Sequence, residues 1–512
     1  MAIVPQMNAY TSTSSAALPH IRAIMAARTL LIARPERHNV QQPTTLTIAQ
    51  SYAELGDPHI CSDFRDRRAI LSALYESLVQ RSPTGEYIPA LAERWSLAED
   101  ACTWQFDLRA GIPFHNGDTL SADDVVASLN RVCDPALGGE LGTQGVYLSY
   151  LRGSQFRVIG ELNVEITTAK PLADLLDLLV DMPIVPRRAL AGLPQIPVGS
   201  GPYQFGTIED GRIVCTAFRG YWGTAPRYEQ VEWMAEADPG RRVDLLLAGE
   251  ADLATGLGPH DAARVVAAGM QAPTTLSGLC VILMLNAAHG PCADARVRQA
   301  LNYATDVSTI IHNVTAGAAE QLNGPLTRLH LAHNPATPAY THDPVRAKQL
   351  LAEAGYPAGL QICLDIPTTH PDEALPLADA LAEQWDAAGI TTEIRIHADR
   401  PGYADRVRAK QIGDACLFDS SPLSSIRVLC EKIHSELRGP WWEGYQNQTV
   451  DQLIDDACAT VNPSERRAIY QQAYGIIRDD APWVFLYSPL IHYGLGPHMA
   501  GWNPRMDGLV KP

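Results

Sequence analysis

The sequence predicts an α/β protein built as two lobes, with mixed sheets flanked by helices. Three observations predict it. Strand-like and helix-like segments alternate in both halves of the chain. A rigid connection rich in glycine and proline, residues 197–203, separates stretches of different pattern. The length of 512 residues also exceeds one hydrophobic core and suggests about three units.

Taken in order, 45–49 is a short apolar strand and 69–79 is helical. Segment 103–109 alternates, with Trp104, Phe106 and Leu108 on one face and Gln105, Asp107 and Arg109 on the other, the mark of a half-buried strand. A turn-rich stretch, 111–118, follows. Ser121 with Asp124 then forms a capping box for a helix over 122–132. Segments 164–168 and 213–218 are further strands.

From about 278 the pattern changes. The run 280–285 is continuously apolar, as expected of a strand buried on both faces. Asp294 caps a helix that carries Val297, Ala300, Leu301 and Ala304 on one stripe. Asp343 and Pro344 open another, with Val345, Leu350, Leu351 and Ala354 on its apolar stripe and Gly355 at its end. Strand 360–366, a helix carrying Ala378, Leu381, Trp385 and Ala388, and strand 390–396 form a β-α-β unit. Such a unit implies a parallel pair with a right-handed crossover. Asn462, Pro463 and Glu465 start a late helix through Ile469, Ala473 and Ile476, and 483–487 is the final strand.

Composition excludes several function classes. Hydrophobic residues make up 46% and charged residues 19%, as in a globular chain. The net charge of −17 repels phosphate backbones and anionic lipid, so no nucleic-acid partner is expected. No segment approaches the ~18 apolar residues of a membrane span, and the densest, 175–180, is far too short. Five lysines stand against 35 arginines. That ratio reflects a GC-rich genome, or carboxylate recognition by a few of the arginines.

The ten cysteines include no C-x-x-C pair, which argues against a zinc ribbon or thioredoxin-type site. They are too sparse for a disulfide scaffold and are tolerated most easily in a reducing compartment. Residues 1–45 are expected to be a leader without fixed structure. Arg22 and Arg28 interrupt its apolar stretch, leaving no unbroken core of roughly 7–15 residues such as an export signal needs. Either the start codon is misassigned or the chain stays in the cytoplasm.

Phosphate-cradling glycine loops, G-x-S-x-G, S-x-x-K and H-E-x-x-H are all absent from the sequence. His330 and His333 are the closest histidine pair, but no clustered carboxylate or cysteine joins them. They read as loop histidines, and no metal site or cofactor is expected. Aromatic residues concentrate at Trp441, Trp442 and Tyr445, next to Arg438. An arginine beside paired tryptophans suits a ligand carboxylate with an apolar body. The same tryptophans equally suit core or interlobe packing, and at least one is expected to be structural.

Several stretches carry a resemblance. Ala-Leu-Tyr-Glu-Ser-Leu-Val occupies 73–79 and Pro-Ala-Leu-Ala-Glu-Arg-Trp-Ser occupies 89–96. Trp-Gln-Phe-Asp-Leu-Arg-Ala-Gly-Ile-Pro-Phe-His-Asn-Gly-Asp at 104–118 leads into Ser-Ala-Asp-Asp-Val-Val at 121–126. Gly-Ser-Gly-Pro-Tyr at 199–203, Val-Arg-Gln-Ala-Leu at 297–301 and Lys-Gln-Leu-Leu-Ala-Glu-Ala-Gly-Tyr at 348–356 follow in order. Together they resemble solute-binding family 5, the peptide/nickel class of ABC-transporter solute-binding proteins, over about 46–512.

The resemblance implies a two-lobed, periplasmic-binding-protein-like clamp of type II with an extra subdomain. Lobe I is expected at 46–68, 195–276 and 488–512, an inserted subdomain at 69–194, and lobe II at 277–487. It further implies that the clamp closes on a small organic solute, peptide-like, anionic or aromatic, and delivers it to the permease subunits of an ABC transporter. The protein is then a periplasmic monomer and not an enzyme, without catalytic residues. His115, Asn116 and Asp118 belong to a structural turn. The alternatives are a cytoplasmic sensor or carrier that kept the clamp, and an enzyme built in the cleft around Asp419, Ser420 or Glu443.

Peptide binders of the family place an aspartate in a Cys-Ala-Asp-Tyr-like segment to take the peptide's amino terminus. Here Phe418 stands in that aspartate's place, Asp419 follows one residue later, and Ile412 replaces an arginine that often precedes the segment. Phe418, Asp419 and Ser420 are therefore expected to shape a site for a smaller or more apolar solute. Ser51, Tyr52 and Glu54 after the first strand, and Asn286 after 280–285, are expected to face the cleft, because ligands of α/β sheets gather at strand carboxyl ends.

Overall fold

A computed structural model describes residues 44–140, 143–369 and 371–512; the leader expected over 1–45 lies outside the described residues except for its last two positions. The first elements are β1 (Thr45–Gln50) and α1 (Arg65–Leu74). A small antiparallel region follows: β2 (Val79–Arg81), β3 (Tyr87–Pro89), β4 (Ala92–Leu97), β5 (Thr103–Leu108), α2 (Ala122–Val132), α3 (Val146–Leu151), β6 (Gln155–Gly160), β7 (Asn163–Thr167) and α4 (Leu176–Leu179). Strands β4-β5-β7-β6 make one sheet and β2-β3 a hairpin pair.

The chain then returns to β1. Strands β8 (Tyr203–Glu209), β9 (Arg212–Ala217), β10 (Gln230–Ala235), β11 (Leu253–Leu257) and β12 (Thr274–Leu276), with α5 (Pro239–Ala248) and α6 (Pro259–Ala267), complete the first half-sheet. The second holds β13 (Cys280–Leu285), α7 (Ala295–Ala304), α8 (Val307–Val314), β14 (Ala319–Gln321), α9 (Pro344–Glu353), β15 (Leu360–Pro367), α10 (Ala374–Ala387), β16 (Ile390–His397), α11 (Arg400–Arg408) and β17 (Ala415–Ser420). Helices α12 (Ser425–Lys432), α13 (Gln448–Ala459) and α14 (Pro463–Asp480) precede the last strand, β18 (Trp483–Leu495).

Strand β18 joins the two half-sheets. Its first residues pair with β13, its middle with β14 and β12, and its end with β11. The second crossing, Ser277 to Leu279, runs beside it. Ser277 N–H donates to Pro489 O at 2.9 Å, and the Ser488 hydroxyl donates to Ser277 O at 2.7 Å. The sequence places the end of the last strand at Tyr487. The chain instead stays extended through Ser488 and Pro489 because this proline needs to give only its carbonyl at the crossing.

Local chemistry explains most elements. β5 alternates as its residues require, β13 is buried throughout, and the Ser121–Asp124 capping box is formed. Asp294, Asp343 and Asn462 accept from backbone N–H groups at the starts of α7, α9 and α14. β15 and β16 pair in parallel, as the β-α-β pattern predicts.

The helix expected over 69–79 is shifted, and α1 ends at Leu74. Gly199 and Gly201 pack against that end, where a Cβ on Gly199 would lie 2.1 Å from Leu74 O. The next residue, Tyr75, turns extended, and the Glu76 carboxylate accepts from Ser200, Tyr221 and Trp222. α1 runs continuously across position 69 and buries Ile70, Ala73 and Leu74 with β1, β9 and β10.

Among the described residues three large apolar cores result, with a small fourth between α5, α6 and β11. The first lies under β1 and β8–β10. The second lies between one face of the second half-sheet and α7–α10. The third runs from the β4–β7 sheet to the other face of the second half-sheet and α12–α14. Both lobes therefore share one stretch of packing. Among the described residues no helix is long and apolar enough to cross a membrane, and no cluster of three or more His, Cys, Asp or Glu could hold a metal ion.

Two buried histidines pin the loops of the cleft. His59 Nε2 donates to Pro183 O at 3.0 Å, and His330 Nε2 donates to Pro422 O at 2.9 Å while its Nδ1 meets Thr327 Oγ1. Burial depresses both pKa values to about 4. A folded-state pKa below the free value of about 6.5 means that stability is full above it and is lost as pH falls toward 4. Thermal melts should therefore show unfolding free energy dropping below pH ~6.5, with each histidine contributing about 3 kcal/mol by pH 4. His330→Gln should flatten that slope; an unchanged slope would exclude His330 as a source.

Candidate ligand-binding cleft

β17 carries its last residues to the lobe boundary. It pairs antiparallel with β13 along its length but parallel with β15 only at Ala415 and Cys416. Beyond that point the two strands diverge, and α11 fills the gap. The Tyr403 hydroxyl lies 3.1 Å from Asp365 O and 2.7 Å from Leu417 O, which clamps the helix to both strands. Arg400, in the first turn of α11, is thereby set over Phe418, with its guanidinium carbon 4.9 Å from the ring centroid. Arg400 Nη2 donates to Asp419 Oδ1 at 3.2 Å.

α12 supplies a second cation. Lys432 is buried, its ammonium 3.4 Å from Asp419 O and 5.2 and 5.6 Å from the Phe418 and Trp441 rings. Burial lowers the pKa of its ammonium. Phe418 and Trp441 pack at 5.0 Å between centroids. The Ser420 hydroxyl is fully buried and has no hydrogen-bond partner among the described residues.

The opposite wall comes from the loop after β1. Asp63 accepts from both terminal nitrogens of Arg427 at 2.8 and 2.9 Å, and Arg427 Nε donates to Glu431. Burial works against ionising Asp63, yet the Arg427 guanidinium holds its carboxyl below the ordinary range. Further bridges flank this one. Arg81 donates to Asp177 at 2.7 Å and to Leu423 O at 3.2 Å, and Ser424 donates to Asp177 at 3.0 Å. Arg466 Nε lies 2.9 Å from Asp174 Oδ1 as an ion pair, off the hydrogen-bond axis, and Tyr470 donates to Asp174 at 2.6 Å. Contacts along this line join the two lobes.

The residues singled out in the sequence divide into three groups. Phe418, Asp419, Ser420 and Trp441 come together in the second-lobe wall. Ser51, Tyr52 and Glu54 lie on the first lobe: Ser51 donates to Asp66, and Tyr52 donates to Glu54 and accepts from Arg67. Arg67 also pairs with Glu140, whose carboxyl is raised by burial and hydrogen-bonded to Ser62 beside Asp63.

Asn286, Arg438, Trp442 and Tyr445 are not part of this assembly. Asn286 hydrogen-bonds Gly413 O, at the far end of β13 from Ser420. The strand-end rule requires parallel strands, and antiparallel β13 puts its carboxyl end about 20 Å away. Tyr445 donates to Asp480, Trp442 donates to Tyr445 O, and exposed Arg438 stacks its guanidinium on Trp442. Glu443 is buried beside Lys410 at 3.2 Å, and burial lifts its pKa to about 7.

Sequence reasoning missed Arg400, Lys432, Arg427 and Asp63. Lys432 had one visible signal, a rare lysine within the apolar stretch of α12; the others had none locally. A separate groove of about 460 Å³ between α8, α9 and α10 opens on the opposite face of the second half-sheet, away from these groups.

The description "Bacterial extracellular solute-binding proteins, family 5 Middle" matches residues 86–417, well over half of the chain. The dipeptide-binding protein of Escherichia coli is 28% identical over 489 residues, covering 88% of this chain and 90% of the relative. Heme-binding protein A of Haemophilus influenzae is 27% identical, with 91% and 90% covered. Among solved structures, the ABC transporter substrate-binding protein CtaP of Listeria monocytogenes superposes with a TM-score of 0.79 at 20% identity, over 92% of this chain and 98% of that one. That likeness shows the shared two-lobed fold.

Removing one partner of a buried ion pair is destabilising, by about 3 kcal/mol where the other is left unpaired; here Arg427 keeps Glu431 but loses its partner on the other lobe. Asp63→Asn should therefore loosen the closed state, and small-angle scattering of the ligand-free protein should give a larger radius of gyration than wild type. An unchanged radius would show that the Asp63–Arg427 bridge does not hold the lobes together.

Proposed function

This chain belongs to the bacterial extracellular solute-binding proteins of family 5, and we propose from that premise that its two lobes close around a small organic solute, seated between the Asp63 loop and the Phe418–Ser420 strand end. The observation that carries this reading is the polar and aromatic wall on β17, α11 and α12, facing a first-lobe loop to which the Asp63–Arg427 pair bridges it. A guest contacting both walls favours the closed state by its differential affinity for that state.

The expected division, lobe I at 46–68, 195–276 and 488–512, the subdomain at 69–194 and lobe II at 277–487, is retained in this reading. It draws support from the two bonded crossings at Ser277 and Ser488. Ser51, Tyr52 and Glu54 border the site on the first-lobe side, and Phe418, Asp419, Ser420 and Trp441 on the other.

In this reading the solute leaves chemically unchanged, and the loaded clamp hands it to the permease subunits of an ABC transporter. The protein works as a periplasmic monomer without a nucleic-acid partner. Support for the absence of chemistry is the use already made of the polar groups: Asp419, Glu443 and Asp63 are each engaged by a cation, not aligned on a nucleophile.

A thermal-shift screen of small solutes tests this. A ligand present at 100 times its dissociation constant should add about 2.7 kcal/mol of stability. It should contract the radius of gyration of an Asp63→Asn variant and be recovered intact by mass spectrometry. Phe418→Ala should weaken it by about 30-fold, as for a buried aromatic anchor. Turnover of the bound compound would replace clamp binding with catalysis.

A further inference from the structure

The second-lobe wall holds more hydrogen-bond donors than acceptors. Among the described residues, Arg400 Nε and Nη1 are buried without a partner, and only Nη2 is engaged, by Asp419. Lys432 brings three ammonium hydrogens into the same buried neighbourhood. Its single hydrogen bond among the described residues is a 3.4 Å contact to the Asp419 carbonyl, and the carboxylates of Asp419, Glu431 and Asp63 act on it only from beyond ion-pair distance. The Ser420 hydroxyl, fully buried at the strand end, has no partner. The two cations sit against the rings of Phe418 and Trp441, and Ser420 lies two residues after Phe418 on β17.

Cations and hydroxyls taken out of water without acceptors destabilise the protein that holds them. An arrangement of this kind is compensated when a guest supplies oxygen atoms. The lowered pKa of Lys432 has the same origin: its ammonium is buried more fully than it is paired.

We propose that the second-lobe wall is an oxyanion seat: the solute enters it with a carboxylate, held by Arg400, Ser420 and Lys432, while Phe418 and Trp441 support the adjoining apolar part. The proposal rests on the solute-binding reading above and narrows it to a substrate class. An amino terminus is refused here. An ammonium placed beside Asp419 would meet Arg400 already on that carboxylate and Lys432 on its carbonyl. Like charges facing across a partly desolvated site exclude the wrong partner. Arg438, which the sequence offers as the carboxylate ligand, gives up that role to Arg400.

The test combines two measurements on the full chain. In the first, wild type and Lys432→Met are melted without ligand. An ammonium kept for a guest is a burden in its absence, so the variant should melt higher than wild type; a lower melting temperature would make Lys432 a structural cation and overturn the proposal. In the second, thermal shifts are recorded with small mono- and dicarboxylic acids and N-acetylated dipeptides, with the methyl esters of the same compounds, and with primary amines and dipeptide amides.

Acids should raise the melting temperature where their esters do not, and Arg400→Gln should weaken the responding acid by about 30-fold, the loss of a charged hydrogen bond. If amines, esters or dipeptide amides stabilise the protein and acids do not, the seat is not for an oxyanion, although the clamp still binds solute. If nothing stabilises it and scattering never contracts, the solute-binding reading falls and this one with it.

Discussion

One strand holds the architecture in place. β18 is hydrogen-bonded into both half-sheets, so the orientation of the strands in both is fixed relative to it. β13 pairs antiparallel to β18, and β17 antiparallel to β13. β17 therefore brings its carboxyl end, with Phe418, Asp419 and Ser420, to the same boundary at which β18 crosses between lobes. The parallel partners β15 and β16 end on that side too, and α11 starts there. The cleft chemistry follows from this register: slipping β17 by one residue would exchange Phe418 for Asp419 on the packed face.

The electrostatics of the cleft follow the same geometry. On one side, carboxylates and guanidinium groups are matched, as in the two-pronged contact of Asp63 with Arg427. On the other, Arg400 and Lys432 lean on aromatic rings, whose faces attract cations but satisfy none of their hydrogen bonds. Matched charges hold the lobes to each other, and unmatched donors hold affinity in reserve. The chain as a whole carries a net charge of −17, so unpaired donors such as those of Arg400 stand out against it.

Much of the fold was readable because local rules and tertiary structure agree. Ser121 with Asp124, Asp294, Asp343 and Asn462 start the helices they announce, and the apolar run of β13 is the buried central strand. Misreadings arose where long-range packing decided the outcome. α1 stops at Leu74 because two glycines from a distant connection press on its end, and β18 passes Pro489 because a neighbouring strand needs only its carbonyl. Of the groups gathered at the strand end, Phe418 to Ser420 and Trp441 were singled out from one segment and one aromatic cluster. Arg400 was one arginine among 35, and nothing beside it in sequence marks the ring it covers. Arg438 drew notice because its tryptophan neighbours are adjacent in sequence, and it does stack on Trp442, but away from the strand end.

The two crossings at Ser277 and Ser488 are tied to each other, and neither is a slack loop. A paired ribbon of extended backbone resists stretching and sideways shear because both would break ladder hydrogen bonds, whereas twist about its long axis costs little. It behaves as a torsion bar. Rotation of the lobes about this ribbon would therefore break fewer of its hydrogen bonds than sliding, and would return facing residues to the same alignment on reclosure. Fidelity in choosing cargo is thus built into the axle as well as the jaws.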